Sequence, residues 1–221
     1  MAIGRAEARE MRGIQGWLAG WAAMLTAALA AAGHAHDAID RGSFEAKLFY
    51  CETCHGQSGQ GFHGYIPIPR LAGQPQQYIE NQLGAFVEGR RLHPIMSGVA
   101  KSFDPSMRAA LAAHFSRIDS GPLGGGPGRS LDVGRQLYEW GVPDSNVPAC
   151  MVCHGDRAKG QDSIPRLAGQ LYEYTVNQLV DWGKYRGFGL PPDLALVMTP
   201  TAHNLTRVQI EAIAAYLSSL H

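Results

Sequence analysis

The chain carries the pattern Cys-x-x-Cys-His twice, at residues 51–55 and 150–154. Two thiols at this spacing on a helical turn can add to the two vinyl groups of one porphyrin, and the histidine that follows can ligate its iron. The chain has four cysteines, and the two motifs use all of them. The sequence therefore predicts two covalently bound haem c groups. The attachment residues would be Cys51, Cys54, Cys150 and Cys153, and the proximal iron ligands His55 and His154.

Two other uses of paired cysteines compete with this interpretation. Both pairs together could close one Cys₄ zinc site, but such a site does not require a histidine directly after each pair. A thioredoxin-like redox motif is the other alternative, and it normally lies beside a βαβ pattern that neither pair shows. Haem attachment accounts for the cysteines and for the histidines.

A haem iron built for electron transfer takes a second axial ligand, commonly a methionine sulfur or a second histidine. Met151 lies inside the attachment motif and cannot reach the other face of the ring, which leaves Met198 in the second half. In the first half, Met96 matches Met198 at an offset of 102 residues, whereas Met107 lies on the apolar face of a predicted helix. We therefore predict Met96 and Met198 as ligands, Met96 in a loop and Met198 in an extended loop, with His93 as a weaker competitor at the first iron.

An internal repeat sets the domain organisation. The six residues at 69–74 recur without change at 165–170, and Tyr78 and Gln82 recur as Tyr174 and Gln178 at the same offset of 96. A Gly/Pro-rich stretch at 120–130 separates the copies and is typical of a linker. The repeat predicts two domains related by duplication, at residues 36–119 and 131–221.

The periodicity of apolar residues predicts an all-α fold, with about three main helices around each haem. The predicted helices are 38–50, 75–88 and one from Asp104 in the first half, and 130–140, 171–183 and 206–219 in the second. Thr206 and Gln209 form a capping-box pattern at the start of the last helix. A haem would supply part of the core that a domain of this size lacks.

The N-terminus has the layout of a secretory signal. Arg5, Arg9 and Arg12 precede an apolar run over 14–32, and small residues follow. Residues 1–35 are therefore predicted to be a signal peptide, with an uncleaved membrane anchor as the alternative. Either form places the folded part in the periplasm, where membrane association through the N-terminus is possible.

These motifs together resemble the diheme cytochrome c4 family. The resemblance rests on the Cys-x-x-Cys-His-Gly segments, the repeated Pro-Arg-Leu-Ala-Gly-Gln segments and the two late methionines, and it covers residues 38–221. It implies two tandem class I cytochrome c domains with His/Met ligation. It also implies that the carbonyls of Pro69 and Pro165 orient the haem histidines.

The resemblance leaves the roles of the other repeated residues open. Arg70 and Arg166 would neutralise haem propionates or be ordinary solvated arginines, and Gln74 and Gln170 would serve the turn before the next helix. Aromatic residues such as Tyr174 and Trp182 could pack against porphyrin or in an ordinary core.

Ligation and charge together favour an electron carrier. Six-coordinate irons leave no open position for a substrate, and a formal net charge of 0 gives no basic patch for nucleic acid. The expected partners are redox proteins, with a quinol-oxidising complex or a dehydrogenase as donor and a terminal oxidase as acceptor. A diheme subunit of a flavocytochrome c sulfide dehydrogenase is the main alternative, and a diheme peroxidase is a more distant one.

Overall fold

A computed structural model describes residues 40–128, 130–189 and 195–221 of the protein. The predicted signal peptide, residues 1–35, lies outside the described residues. The described part is helical and contains no strand, only three isolated β-bridges, so the predicted all-α fold is confirmed. Among the described residues, no helix has the length and apolar character needed to cross a membrane.

Four helices form the first half of the described chain. They are α1 (Arg41–His55), α2 (Gln76–Glu88), α3 (Met96–Lys101) and α4 (Pro105–Ser116). In α1, the Asp40 carboxylate accepts the Ser43 N–H at 2.9 Å and caps the helix. The helix continues through the first Cys-x-x-Cys-His motif, beyond the predicted end at residue 50. It stops at Gly56, which has a φ of +85°.

The described residues of the second half form six α-helices and one short 3₁₀ turn. They are α5 (Leu131–Trp140), the 3₁₀ turn (Pro143–Ser145), α6 (Met151–His154), α7 (Tyr172–Val180), α8 (Trp182–Tyr185), α9 (Ala195–Asn204) and α10 (Arg207–Ser219). The predicted helix over 171–183 is thus divided at Asp181 into α7 and α8. The capping box of Thr206 and Gln209 is present at the start of α10.

Each half has its own apolar core. In the first half, Phe86 of α2 and Phe115 of α4 pack in one cluster of buried side chains. In the second half, Tyr138 of α5 packs with Ile213 and Leu217 of α10. Two separate cores fit two tandem domains, and the boundaries at 119 and 131 stay a prediction.

The crossing of α5 and α10 depends on one glycine. A Cβ at Gly134 would collide with the Ala212 carbonyl oxygen, so only a hydrogen at this position allows the helices to come so close. This contact brings the segment before the second Cys-x-x-Cys-His motif against the last helix.

Two candidate haem sites

The two motif histidines occupy equivalent buried positions at the ends of α1 and α6. Nδ1 of His55 lies 2.8 Å from the Pro69 carbonyl oxygen, and Nδ1 of His154 lies 3.0 Å from that of Pro165. A carbonyl oxygen only accepts, so Nδ1 carries the proton and Nε2 keeps a lone pair for a metal. Burial lowers the pKa of both imidazoles, with the proline carbonyls acting in the opposite direction. The lowered pKa favours the neutral imidazole, which is the form that ligates iron.

The four motif cysteines form no disulfide bond with one another. Cys54 and Cys153 are exposed, while Cys51 and Cys150 are half-buried, and burial raises the pKa of each of these two to about 11. Among the described residues, no group of three or more His, Cys, Asp or Glu side chains could hold a metal ion. The two pairs therefore do not form one Cys₄ zinc site.

Both candidate methionine ligands lie on helices, so the prediction that each lies in a loop was wrong. Met96 is the first residue of α3, and Met198 lies inside α9, which also contains Pro200. The pyrrolidine of Pro200 lacks an N–H, which made a helix improbable from the sequence. The candidate methionine of each site therefore lies on a short helix. Ligation of the irons by Met96 and Met198 stays a prediction.

His93 holds the turn that leads into α3. Its Nδ1 accepts the N–H groups of Ile95 and Met96, each at 3.2 Å. The Ser97 hydroxyl accepts the His93 N–H at 3.2 Å from the other direction. These contacts give the imidazole a role in positioning Met96.

Arg70 and Arg166 are buried, so the alternative that they are solvated arginines was wrong. Arg70 is 1% exposed, and its guanidinium donates to the carbonyls of Ala72, Ser120 and Gly121. Arg166 is 4% exposed and donates from Nε to the Ala168 carbonyl at 2.9 Å. Arg70 therefore ties the repeated segment to the start of the linker. Among the described residues, both arginine side chains donate only to backbone carbonyls, and Arg166 Nη2 is buried without a partner. Their role at the haem propionates stays a prediction.

The repeated glutamines join the two halves, a role that the sequence did not predict. The Gln74 side chain donates to the Arg166 carbonyl at 2.8 Å and accepts the Arg166 N–H at 3.0 Å. The Gln170 side chain makes the reciprocal pair with the backbone of Arg70, at 3.2 and 2.8 Å. Gln170 also accepts the Leu171 N–H at 3.0 Å, so it serves the local turn as well.

A second junction between the halves is a group of buried and half-buried side chains that we call the arginine–tyrosine cluster. Its members are Arg91, Arg186, Tyr78, Tyr174, Gln82 and Gln178. Arg91 donates to the Tyr174 hydroxyl at 2.8 Å, and Arg186 donates to the same hydroxyl at 3.2 Å. Each guanidinium also donates to a glutamine side chain, Arg91 to Gln82 at 2.7 Å and Arg186 to Gln178 at 2.7 Å.

The cluster contains two cations and no anion. Among the described residues, neither guanidinium forms an ion pair with a carboxylate. Burial and the neighbouring Arg186 lower the pKa of Arg91. Buried positive charges are costly unless anionic groups compensate them. The cluster therefore fits anionic groups from outside the polypeptide, and the propionates of two haems meet that requirement.

The sequence contained a partial signal for this cluster. Tyr78 and Gln82 repeat as Tyr174 and Gln178 at an offset of 96, within the repeat already noted. The two arginines lie at an offset of 95, one residue out of that register, and a comparison at fixed offset missed them.

Comparisons with known proteins agree with this geometry. A sequence profile of the cytochrome c family matches residues 133–221. Cytochrome c-552 of Acidithiobacillus ferridurans is 35% identical over 208 residues, which cover 89% of this chain and 86% of the relative. The thiosulfate dehydrogenase electron acceptor of Thiomonas intermedia is 36% identical over 76% of this chain and 77% of its own. The structure of cytochrome c4 from Acidithiobacillus ferrooxidans has a TM-score of 0.66 and 35% identity, covering 77% of this chain and 98% of that one.

Proposed function

Because the chain belongs to the diheme cytochrome c4 family, we propose that it is a periplasmic electron carrier between a dehydrogenase and a terminal oxidase or another acceptor. The chain binds haem c covalently, and its relatives are electron-transfer proteins. The observation that carries the proposal is the repetition of one site geometry in both halves. In each half, a buried neutral histidine lies at the end of a Cys-x-x-Cys-His helix, with its Nδ1 held by a proline carbonyl.

The chain's own residues have distinct tasks in this proposal. Cys51 and Cys54 would tether one haem, and His55 and Met96 would ligate its iron. Cys150 and Cys153, with His154 and Met198, would do the same in the second half. When bound, each haem supplies an iron that takes up and releases one electron. The proline carbonyls keep each imidazole in one tautomer and one orientation, which limits rearrangement when the charge changes.

The arginine–tyrosine cluster supports the proposal because it lies where the halves meet. We assign Arg91 and Arg186 to the propionates of the two haems, with the Tyr78 and Tyr174 hydroxyls as additional polar partners. Both haem edges would then face the same junction. Electrons could enter at one domain and leave at the other without a large movement of the chain.

The donor is proposed to be a thiosulfate dehydrogenase. A relative with 36% identity over 172 residues bears the name thiosulfate dehydrogenase electron acceptor. This choice specifies one enzyme within the class of dehydrogenases that we expect as donors. The near-neutral net charge gives no long-range field, so docking would depend on local surface contacts.

Reduction by a purified thiosulfate dehydrogenase and thiosulfate tests the donor. Stopped-flow absorbance should show both haems reduced within seconds when enzyme and substrate are present, and neither reduced when one of them is omitted. Dithionite serves as the control for reducible haem. Haems that dithionite reduces but the enzyme and thiosulfate do not would exclude this donor.

A further inference from the structure

Two buried side-chain donors in the second half, Arg166 Nη2 and the indole Nε1 of Trp182, have no hydrogen-bond partner among the described residues. Trp182 is the first residue of α8. The guanidinium carbon of Arg186 lies 5.1 Å from the Trp182 ring centroid, so the indole borders the arginine–tyrosine cluster. Buried N–H groups are nearly always paired, because leaving one unpaired costs free energy.

The surroundings of Gly187 help to locate the indole N–H of Trp182. A Cβ built on Gly187 would lie 2.9 Å from Thr199 Oγ1 and 3.8 Å from Trp182 Nε1. Thr199 follows Met198 in α9. The indole N–H therefore lies close to Gly187, which is also in contact with the helix that carries the proposed methionine ligand.

In the first half, an arginine also packs over an aromatic ring, but that ring has no N–H group to donate. Phe86 corresponds to Trp182 at the offset of 96 that also relates the cluster tyrosines. The guanidinium carbon of Arg91 lies 4.5 Å from the Phe86 ring centroid, as Arg186 lies over Trp182. A phenyl ring packs against a guanidinium but donates no hydrogen bond. The two otherwise similar sites thus differ by one N–H group.

We propose that the Trp182 indole donates a hydrogen bond to a carboxylate oxygen of the second haem propionate and makes the second haem easier to reduce. The inference rests on the proposed function, which places propionates at Arg186. A hydrogen bond to a carboxylate draws negative charge away from the iron, and hydrogen bonds around a redox centre help to set its potential. Phe86 gives the first haem no such bond, so the difference contributes to an unequal pair of potentials.

The test is the variant Trp182→Phe, which removes the donor and keeps an aromatic ring against Arg186. Trp140→Phe is the matched control, because Trp140 is 74% exposed on α5. Both potentials are measured by spectroelectrochemical titration of the holoprotein. The redox wave of the second haem is identified with the variant Met198→His. An imidazole there replaces the thioether and lowers the reduction potential of that haem.

In Trp182→Phe, the reduction equilibrium constant of the second haem should fall three- to tenfold, about 28–59 mV for a one-electron couple. The first haem and the Trp140→Phe variant should remain unchanged. A ¹⁵N spectrum should also lose an indole N–H signal that exchanges slowly with solvent in the wild-type protein.

An unchanged second potential in Trp182→Phe would overturn the inference. So would an equal shift of both potentials accompanied by a lower unfolding temperature, which would indicate a packing role. A wild-type protein without two His/Met haem spectra would instead refute the proposed function, and this is measured before any variant is made.

Discussion

Buried side chains with directed hydrogen bonds determine how the two sites are built. The proline carbonyls at His55 and His154 select the tautomer, and the reciprocal glutamine contacts at Arg70 and Arg166 align the repeated segments of the two halves. Each glutamine bonds backbone groups of the opposite half, so its removal leaves buried polar groups unpaired. Such groups cost more free energy than the lost bond contributed.

Replacing Gln74 by alanine should therefore destabilise the holoprotein. The change removes two cross-domain hydrogen bonds and leaves the N–H and C=O of Arg166 unpaired, so we expect a loss of about 1–3 kcal/mol. Chemical denaturation, monitored by haem absorbance, measures this change in the free energy of unfolding. Gln76→Ala is the control, because the exposed Gln76 side chain bonds only to Glu80 within the same helix. Equal free energies of unfolding for the two variants would show that the glutamine bridge has no energetic role.

Short helices and close crossings position the ligands. The α3 and α9 helices carry the candidate methionines, and the α5–α10 crossing supports the segment before the second motif. Each feature depends on a particular residue. His93 holds the start of α3, and Gly134 allows α5 to approach α10.

Gly134→Ala should destabilise the second domain, although alanine is the better helix former. Its Cβ would collide with the Ala212 carbonyl, and overpacking of this kind costs about 1–3 kcal/mol. Gly183→Ala is the matched control in α8, because an added Cβ there has no neighbour within 4 Å. Thermal unfolding of both holoproteins compares them. A Gly134→Ala protein as stable as the Gly183→Ala protein would contradict the proposed close crossing.

Several features of the fold and the sites could be predicted from the sequence because they depend on local patterns. The Cys-x-x-Cys-His segments, the capping box at Thr206 and the repeat at 69–74 are all short-range signals. The contact of His55 with Pro69 came from the family resemblance, and the structure shows it at 2.8 Å.

Other features depend on contacts between distant parts of the chain, so local sequence patterns do not predict them. The burial of Arg70 requires carbonyls at residues 120 and 121, about fifty positions away. Arg91 and Arg186 are one residue out of register with the repeat, and they meet at the junction between the two halves. The local sequence did not predict a helix at Met198, because Pro200 lies in the same helix and proline is unfavourable inside helices.

In the whole molecule, two separate cores are joined by polar contacts rather than by one shared apolar interior. The junction combines the glutamine bridge with the arginine–tyrosine cluster, and the cluster contains positive charge without a protein counterion among the described residues. Haem propionates at this junction would complete the structure and bring the two redox centres together. The same groups would therefore stabilise the fold and connect the two electron-transfer sites.

The central claim is that both irons have one histidine and one methionine ligand. Optical spectra of the oxidised and reduced holoprotein, calibrated by pyridine haemochrome, test it directly. We predict two haems per chain and two equivalents of the weak sulfur-to-iron band in the far red. Met96→Ala and Met198→Ala should each remove one equivalent, while Met107→Ala should remove none, because Met107 is buried in α4. A single haem, a high-spin spectrum in the wild-type protein, or a full band in either ligand variant would contradict the account.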